Sequence, residues 1–189
     1  MLVVDETGDV KKGSATVGVQ RQYTGTAGRI ENAQVGVYLV YAGERGHAFL
    51  DRALYLPKSW TDDPDRLAEA GVPTDVAFAT KPALARTMIA RALDAGVPAS
   101  WVAGDEVYGA DPKLRDDLQR RGIGYVLAVA SNHRVSTSSG TVTATALAAT
   151  LPGRAWHRRS CGAGAKGHRT YLWAQGSVTT EFCPVSVVG

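Results

Sequence analysis

The sequence predicts an α/β fold: a mixed sheet with elements in the order β-β-β-α-β-α-β, followed by a β-rich insertion or subdomain after the fifth strand. Three observations support this. Short β-rich apolar runs open the chain, and later runs alternate with segments of helical periodicity. Two of the runs, Leu2-Val3-Val4-Asp5 and Trp101-Val102-Ala103-Gly104-Asp105, end in an aspartate. Beyond Ser131 the composition turns to Ser, Thr, Ala and Gly, and past Arg154 to a basic-aromatic cluster.

The first strand, Leu2 to Asp5, runs into Glu6-Thr7-Gly8-Asp9, whose Gly and Asp content predicts a turn. From Lys11 to Asn32 the glycines Gly13, Gly18, Gly25 and Gly28 interrupt any period, so a long irregular or loosely β segment is expected. Gln34 to Tyr41 and Ala48 to Leu56 are β-rich runs joined across Gly43-Glu44-Arg45-Gly46, a hairpin pattern. A short helix is predicted over Asp62 to Ala70, with Pro64 in its first turn and Gly71-Val72-Pro73 as its stop. A longer helix should run from Pro82 to Ala95, capped by Thr80. Leu84, Met88, Ile89 and Leu93 fall on one face, and Gly96 and Pro98 end it. Trp101 to Asp105 is the fourth strand, Asp111-Pro112 starts a helix through Arg121, and Gly124 to Ala130 is the fifth strand. Three antiparallel strands followed by two strands reached through helical crossovers is the topology of an RNase H-like core.

The composition, with 44% hydrophobic and 21% charged residues, is that of an ordinary globular domain with a full core. No stretch approaches the roughly 20 apolar residues of a membrane span, and the N-terminus lacks signal-peptide character, so a cytoplasmic protein with no membrane partner is expected. Cys161 and Cys183 lack zinc-ligand spacing and are read as reduced. The net charge of +3 is unevenly spread: from Leu118 onward the chain carries +7, and before it −4. A basic half of this kind suits a phosphate-binding surface.

Asp5 and Asp105 stand out because carboxylates are disfavoured in buried strands, and the C-terminal ends of strands are where open α/β sheets build sites. Brought side by side they would suit Mg²⁺, which takes one or two carboxylates plus waters and substrate phosphate. Two such ions about 4 Å apart could activate a nucleophile and stabilise a phosphodiester's leaving oxygen. Taken singly, each aspartate is better read as a cap or hydrogen-bonding group at a turn or strand end. Glu6 and Glu106 adjoin them but should point to the opposite face, which makes them poor co-ligands and leaves them behind the ligands or at the surface. Lys11, Lys12 and Arg21 could contact DNA phosphates, with Tyr23 stacking on a base. Arg158, Arg159, Lys166 and Arg169 interleave with Trp156, Tyr171 and Trp173, again a chemistry for backbone contact plus stacking. Gly162 to Gly167 lacks the Gly-Lys-Ser/Thr ending of a phosphate loop, so nucleotide binding is rejected. A phosphohydrolase with Asp5 as nucleophile would need an acid where Thr7 stands.

Several ordered blocks carry a resemblance. Asp5-Glu6-Thr7-Gly8 with Lys11-Lys12-Gly13, Val17 to Tyr23, Gly25 to Asn32 and Gln34 to Val37 resemble the opening of the DDE domain of a bacterial insertion-sequence transposase family. The likeness continues through Leu54 to Trp60, Phe78-Ala79-Thr80-Lys81-Pro82, Gly104-Asp105-Glu106-Val107-Tyr108-Gly109 and Gly162 to Gly167, and so covers about Leu2 to Ala174. It implies an RNase H-like fold, Mg²⁺ (with Mn²⁺ as a substitute), and DNA strand cleavage and transfer at element ends. The first two acids of the family match Asp5 and Asp105 as catalytic metal ligands. Element ends and target DNA would be the partners, a homodimer is conceivable for a full-length member, and the location would be nucleoid-associated.

The family's third acid, a glutamate, lies on a helix beyond the β-rich insertion, and nothing here matches it. Glu181 sits among β-branched residues just before Pro184, a poor helix context. Asp9, where the family commonly has an apolar residue, is a smaller departure. The domain reading is therefore a partial catalytic core over 1–131, a β-rich insertion over 132–174 and a tail over 175–189 outside the resemblance. A frameshift or early stop would account for that tail, and a missing N-terminal region for the start at a core strand. The expectation is a truncated transposase fragment impaired in strand transfer; the alternative is a catalytically silent DNA-binding remnant.

Overall fold

The computed structural model of the chain describes residues 1–164, 167–177 and 184–188, with side chains described for 1–163 and 167–175. The chain divides into two compact units, Met1–Ala128 and Val129–Gly189.

The first unit is built on a six-stranded mixed sheet. Strand β1 (Leu2–Val10) lies beside β3 (Arg29–Gly43), antiparallel, with Asp5 opposite Tyr38. On the far edge of β3 lie β2 (Gln20–Thr24) and β4 (Gly46–Tyr55), both antiparallel to it. On the other side of β1 come β5 (Trp101–Gly104) and then β6 (Gly124–Leu127), all parallel. The hairpin across Gly43 and Gly46 forms as its turn residues predict.

The sequence reading needs correction at Glu6 to Asp9, where β1 continues without a turn. Local turn chemistry loses to the long ladder with β3, and Gly8 has a tertiary reason to be glycine. A Cβ there would collide with Thr24, whose hydroxyl donates to the Gly8 carbonyl at 3.2 Å. The segment expected to be irregular or loosely β holds β2 and the start of β3, and its loop is pinned rather than loose. Val19 packs with Leu56, Trp60 and Leu67, while the Trp60 indole N–H donates to the Val19 carbonyl at 2.8 Å. The Arg66 guanidinium lies 3.7 Å from the Trp60 ring centroid and donates to the Ser14 carbonyl, closing the loop from the other side.

Helix α1 (Lys58–Thr61) is a single turn with no sequence signal of its own. Helix α2 (Pro64–Glu69) is capped by Asp63, and α3 (Lys81–Asp94) by Thr80, whose hydroxyl accepts from the Ala83 N–H. Ala85, Met88, Ile89 and Ala92, at helical spacing on α3, are buried against Leu2, Val4, Val37 and Leu39. Each of the larger side chains contributes about 1.5–3 kcal/mol by leaving water. Beyond β5 come the one-turn helix α4 (Glu106–Gly109) and α5 (Pro112–Arg120), which adds Leu114 and Leu118 to the same core. Both crossover helices thus cover one sheet face. The opposite face carries Asp5 and leaves Phe49, Trp101 and Val126 more than half exposed.

The second unit has a small hairpin of β7 (Arg134–Thr137) and β8 (Gly140–Thr143), and a sheet in the order β11-β10-β9. Its strands are β9 (His157–Gly164), β10 (Gly167–Ser177) and β11 (Pro184–Val188). The region expected to be β-rich also contains α6 (Ala144–Thr150), an alanine-rich helix capped by Thr143. Among the described residues no helix is long and apolar enough to cross a membrane.

Candidate active site

Period-two alternation along β1 sends Leu2, Val4 and Glu6 toward the helices and Asp5 to the other face. Val4 and Gly104 are cross-strand partners, the last pair of the β1–β5 ladder. The next residues, Asp5 and Asp105, therefore stand side by side just past the end of this ladder: Asp105 follows the last residue of β5, whereas Asp5, expected to close its strand, lies within β1, which runs on to Val10 in its ladder with β3. Both are exposed to solvent. Asp5 Oδ1 accepts from the Glu6 N–H at 2.8 Å, and Asp105 Oδ1 accepts from the Val107 N–H at 2.9 Å as the cap of α4. Oδ2 of each takes no protein hydrogen bond among the described residues.

Partial burial pushes the Asp5 carboxyl above the ordinary aspartate value, and the Glu6 backbone N–H opposes it. The negative charges of Asp105 and Glu6 push it up further, while Lys81 draws it down. The two carboxylates thus repel each other across the gap between β1 and the segment after β5. No group of three or more His, Cys, Asp or Glu that could hold a metal occurs among the described residues.

Glu6, by contrast, is enclosed. Its carboxylate accepts from Lys81 Nζ at 2.8 Å and from the Tyr108 hydroxyl at 2.7 Å, and Tyr108 is 0% exposed. Burial and the Glu6 hydrogen bond hold the Tyr108 phenol protonated, far above its ordinary range. Glu106, by contrast, is a surface residue. Sequence reasoning gave Lys81 and Tyr108 no role. The signal was present in the alternation itself: a carboxylate in step with Leu2 and Val4 must be buried, and a buried carboxylate requires a cation and donors. Gly109 completes the turn after Asp105, since a Cβ there would overlap the Ala128 carbonyl.

The residues expected to touch DNA fall in three places. Lys11 and Lys12 follow β1, Lys11 loosely paired with Asp9 at 3.9 Å and Lys12 exposed. Arg21 and Tyr23 alternate on β2 opposite Asn32 and Ile30, which puts both on the sheet face that carries Asp5. On that face Tyr38, the cross-strand neighbour of Asp5, joins Phe49, Leu50 and Arg52 around a shallow groove of about 550 Å³. In the second unit Arg158, Arg159 and Arg169 are exposed on β9 and β10, Arg159 opposite Tyr171 and Arg158 opposite Leu172. Lys166, like Glu181 and Cys183, lies outside the described residues.

Residues 1–177 match the family model described as DDE superfamily endonuclease. A curated relative, the probable transposase for insertion sequence element IS701 of Microchaete diplosiphon, is 32% identical over 138 residues, covering 71% of this chain. The matched region is 33% of that relative, so the chain spans about a third of its length. No solved structure matches at a significant level. With nearly its whole length matched by one family and a transposase among its relatives, the chain belongs to the DDE endonuclease superfamily of insertion-sequence transposases.

Proposed function

We propose that the chain is a catalytic-core segment of an insertion-sequence transposase in which Asp5 and Asp105 together hold Mg²⁺, or Mn²⁺ in its place, for DNA strand cleavage and transfer. The observation that carries this reading is the adjacency of the two carboxylates just past the last pair of the parallel β1–β5 ladder, with Oδ2 of each free of protein hydrogen bonds among the described residues. The donor set fits the ion: two hard oxygen ligands, solvent access for waters, and a repulsion that a cation would relieve. When bound, the ion supplies activation of a nucleophilic hydroxyl and charge stabilisation at the phosphodiester. A mixed sheet with parallel and antiparallel strands is compatible with the RNase H-like core proposed here.

The chain's own residues would bind and orient DNA. Arg21 would neutralise backbone phosphate and Tyr23 stack on a base, both on the face of Asp5. Lys11, Lys12, Arg158, Arg159, Lys166 and Arg169 would add phosphate contacts, so that affinity falls steeply with salt. Element ends and target DNA are the proposed partners, with homodimerisation reserved for a longer family member and a nucleoid-associated location following from DNA binding. The proposed division is a core over 1–131, an insertion over 132–174 and a distinct tail over 175–189.

A two-carboxylate site places a second ion poorly, so we propose little or no strand transfer by this chain. The second reading is a silent DNA-binding remnant, supported by the exposed basic residues Arg158, Arg159 and Arg169. Incubation with element-end DNA and Mg²⁺ or Mn²⁺ tests both: salt-dependent binding with little cleavage is expected. Robust turnover abolished by Asp105→Ala would overturn the low activity and discard the silent-remnant reading.

A further inference from the structure

Three short stretches that look unrelated in sequence, Asp5-Glu6-Thr7-Gly8, Thr80-Lys81-Pro82 and Gly104-Asp105-Glu106-Val107-Tyr108-Gly109, meet at one carboxylate. Glu6 Oε1 accepts from Lys81 Nζ at 2.8 Å, and Glu6 Oε2 accepts from the Tyr108 hydroxyl at 2.7 Å. Both of its oxygens are therefore engaged, on the sheet face opposite Asp5. The Glu6 and Lys81 side chains are 18% and 20% exposed.

The position of this cluster gives it a purpose. The β1–β5 ladder covers only Leu2–Val102, Val3–Ala103 and Val4–Gly104, and stops one residue short of the two aspartates. Past that point Asp5 stays paired with Tyr38 of β3, but the β1–β5 ladder no longer ties its segment to that of Asp105. The next link between the two segments is the Glu6–Tyr108 hydrogen bond, joining the residue after Asp5 to the one-turn helix that Asp105 caps. Lys81, the first residue of α3, ties the same carboxylate to a helix buried in the core. Its ammonium also lies 5.7 Å from the Tyr55 ring centroid, which limits where it can move.

We infer that Glu6, Lys81 and Tyr108 form a positioning cluster that fixes the separation and orientation of Asp5 and Asp105 from behind the sheet. They act through the two aspartates and touch no substrate. Like charges on neighbouring segments past the end of their shared ladder repel, and a metal site loses affinity when its ligands must be gathered at each binding event. The inference rests on the reading of Asp5 and Asp105 as a divalent-cation site.

The test is Mn²⁺ binding by the full chain, followed by electron paramagnetic resonance, with circular dichroism confirming the fold at the same temperature. Tyr108→Phe and Lys81→Met should each weaken Mn²⁺ binding five-fold or more while remaining folded, and Lys81→Arg should stay within two-fold of the parent. Tyr108→Phe keeps its ring in the core and carries the test if Lys81→Met does not fold. A cluster serving stability alone would lower the melting temperature of Tyr108→Phe and leave its Mn²⁺ affinity at the parent value, and that outcome overturns the inference. Asp5→Asn and Asp105→Asn separate the two levels. If they abolish binding while Tyr108→Phe does not weaken it, the metal site stands and the positioning role falls; if they bind Mn²⁺ like the parent, both fall.

Discussion

Gly109→Ala is the most demanding single change available in the turn after Asp105. A Cβ at this position would overlap the Ala128 carbonyl oxygen and approach its carbon at 2.9 Å, and neither is the movable end of a side chain. Either α4 must lift or the end of β6 must retreat. The second route breaks the hydrogen bond from the Ala128 N–H to the Gly104 carbonyl, 3.0 Å long. Overpacking of this kind costs about 1–3 kcal/mol, and a strained backbone hydrogen bond about 1 more. We therefore expect a loss of roughly 2–4 kcal/mol. For a unit of this size that amounts to a fall on the order of 10 °C in melting temperature. Urea unfolding of Gly109→Ala beside Gly153→Ala, where a Cβ meets nothing within 4 Å, supplies the comparison. If both variants unfold within about 0.5 kcal/mol of the parent, the range ordinary for surface substitutions, the close approach at Gly109 has been misjudged.

Three further changes probe other parts of the molecule. Trp60→Ala removes the centre of the satellite core and its hydrogen bond to Val19, and should cost about 3–5 kcal/mol in chemical unfolding; a loss below about 1 kcal/mol would show that the 11–19 loop is not anchored there. Asp5 has its folded-state pKa raised, so its ionisation costs stability, a cost absent below the unfolded value and complete above the folded one. Asp5→Asn should accordingly raise the melting temperature in metal-free buffer at neutral pH, with the gain shrinking as pH falls toward about 3.9; a gain unchanged at pH 3 would rule out this origin. Arg21→Ala should weaken DNA binding and lower the slope of log affinity against log salt by about 1, read from a salt titration; an unchanged slope removes Arg21 from the phosphate contacts.

What could be read from sequence follows a physical division. Elements with their own start and stop chemistry came through: the Thr80 cap, Pro82 and Gly96 bracket α3, and Asp111-Pro112 opens α5. The two aspartates drew notice because a carboxylate directly after an apolar run such as Leu2-Val3-Val4 conflicts with its surroundings, although β1 runs on past Asp5 to Val10. Features set by distant partners were not legible. β1 runs through Gly8 because β3 and Thr24 receive it, and α4 is a single turn defined by Asp105 and Gly109 rather than by any period. Glu6 shows the limit most clearly. Its inward direction follows from alternation, but its partners Lys81 and Tyr108 lie 75 and 102 residues away and only the folded chain brings them to it.

The proposed joint metal site can be interrogated directly with Fe²⁺ in place of Mg²⁺. With ascorbate and peroxide, iron bound between Asp5 and Asp105 generates radicals that cut the backbone nearby, and mass spectrometry locates the cuts. Cleavage should cluster around residue 105 and close to the N-terminus, disappear in both Asp5→Asn and Asp105→Asn, and be suppressed by excess Mg²⁺. Cuts elsewhere in the chain, or cuts near residue 105 that survive Asp5→Asn, would contradict a site shared by the two aspartates.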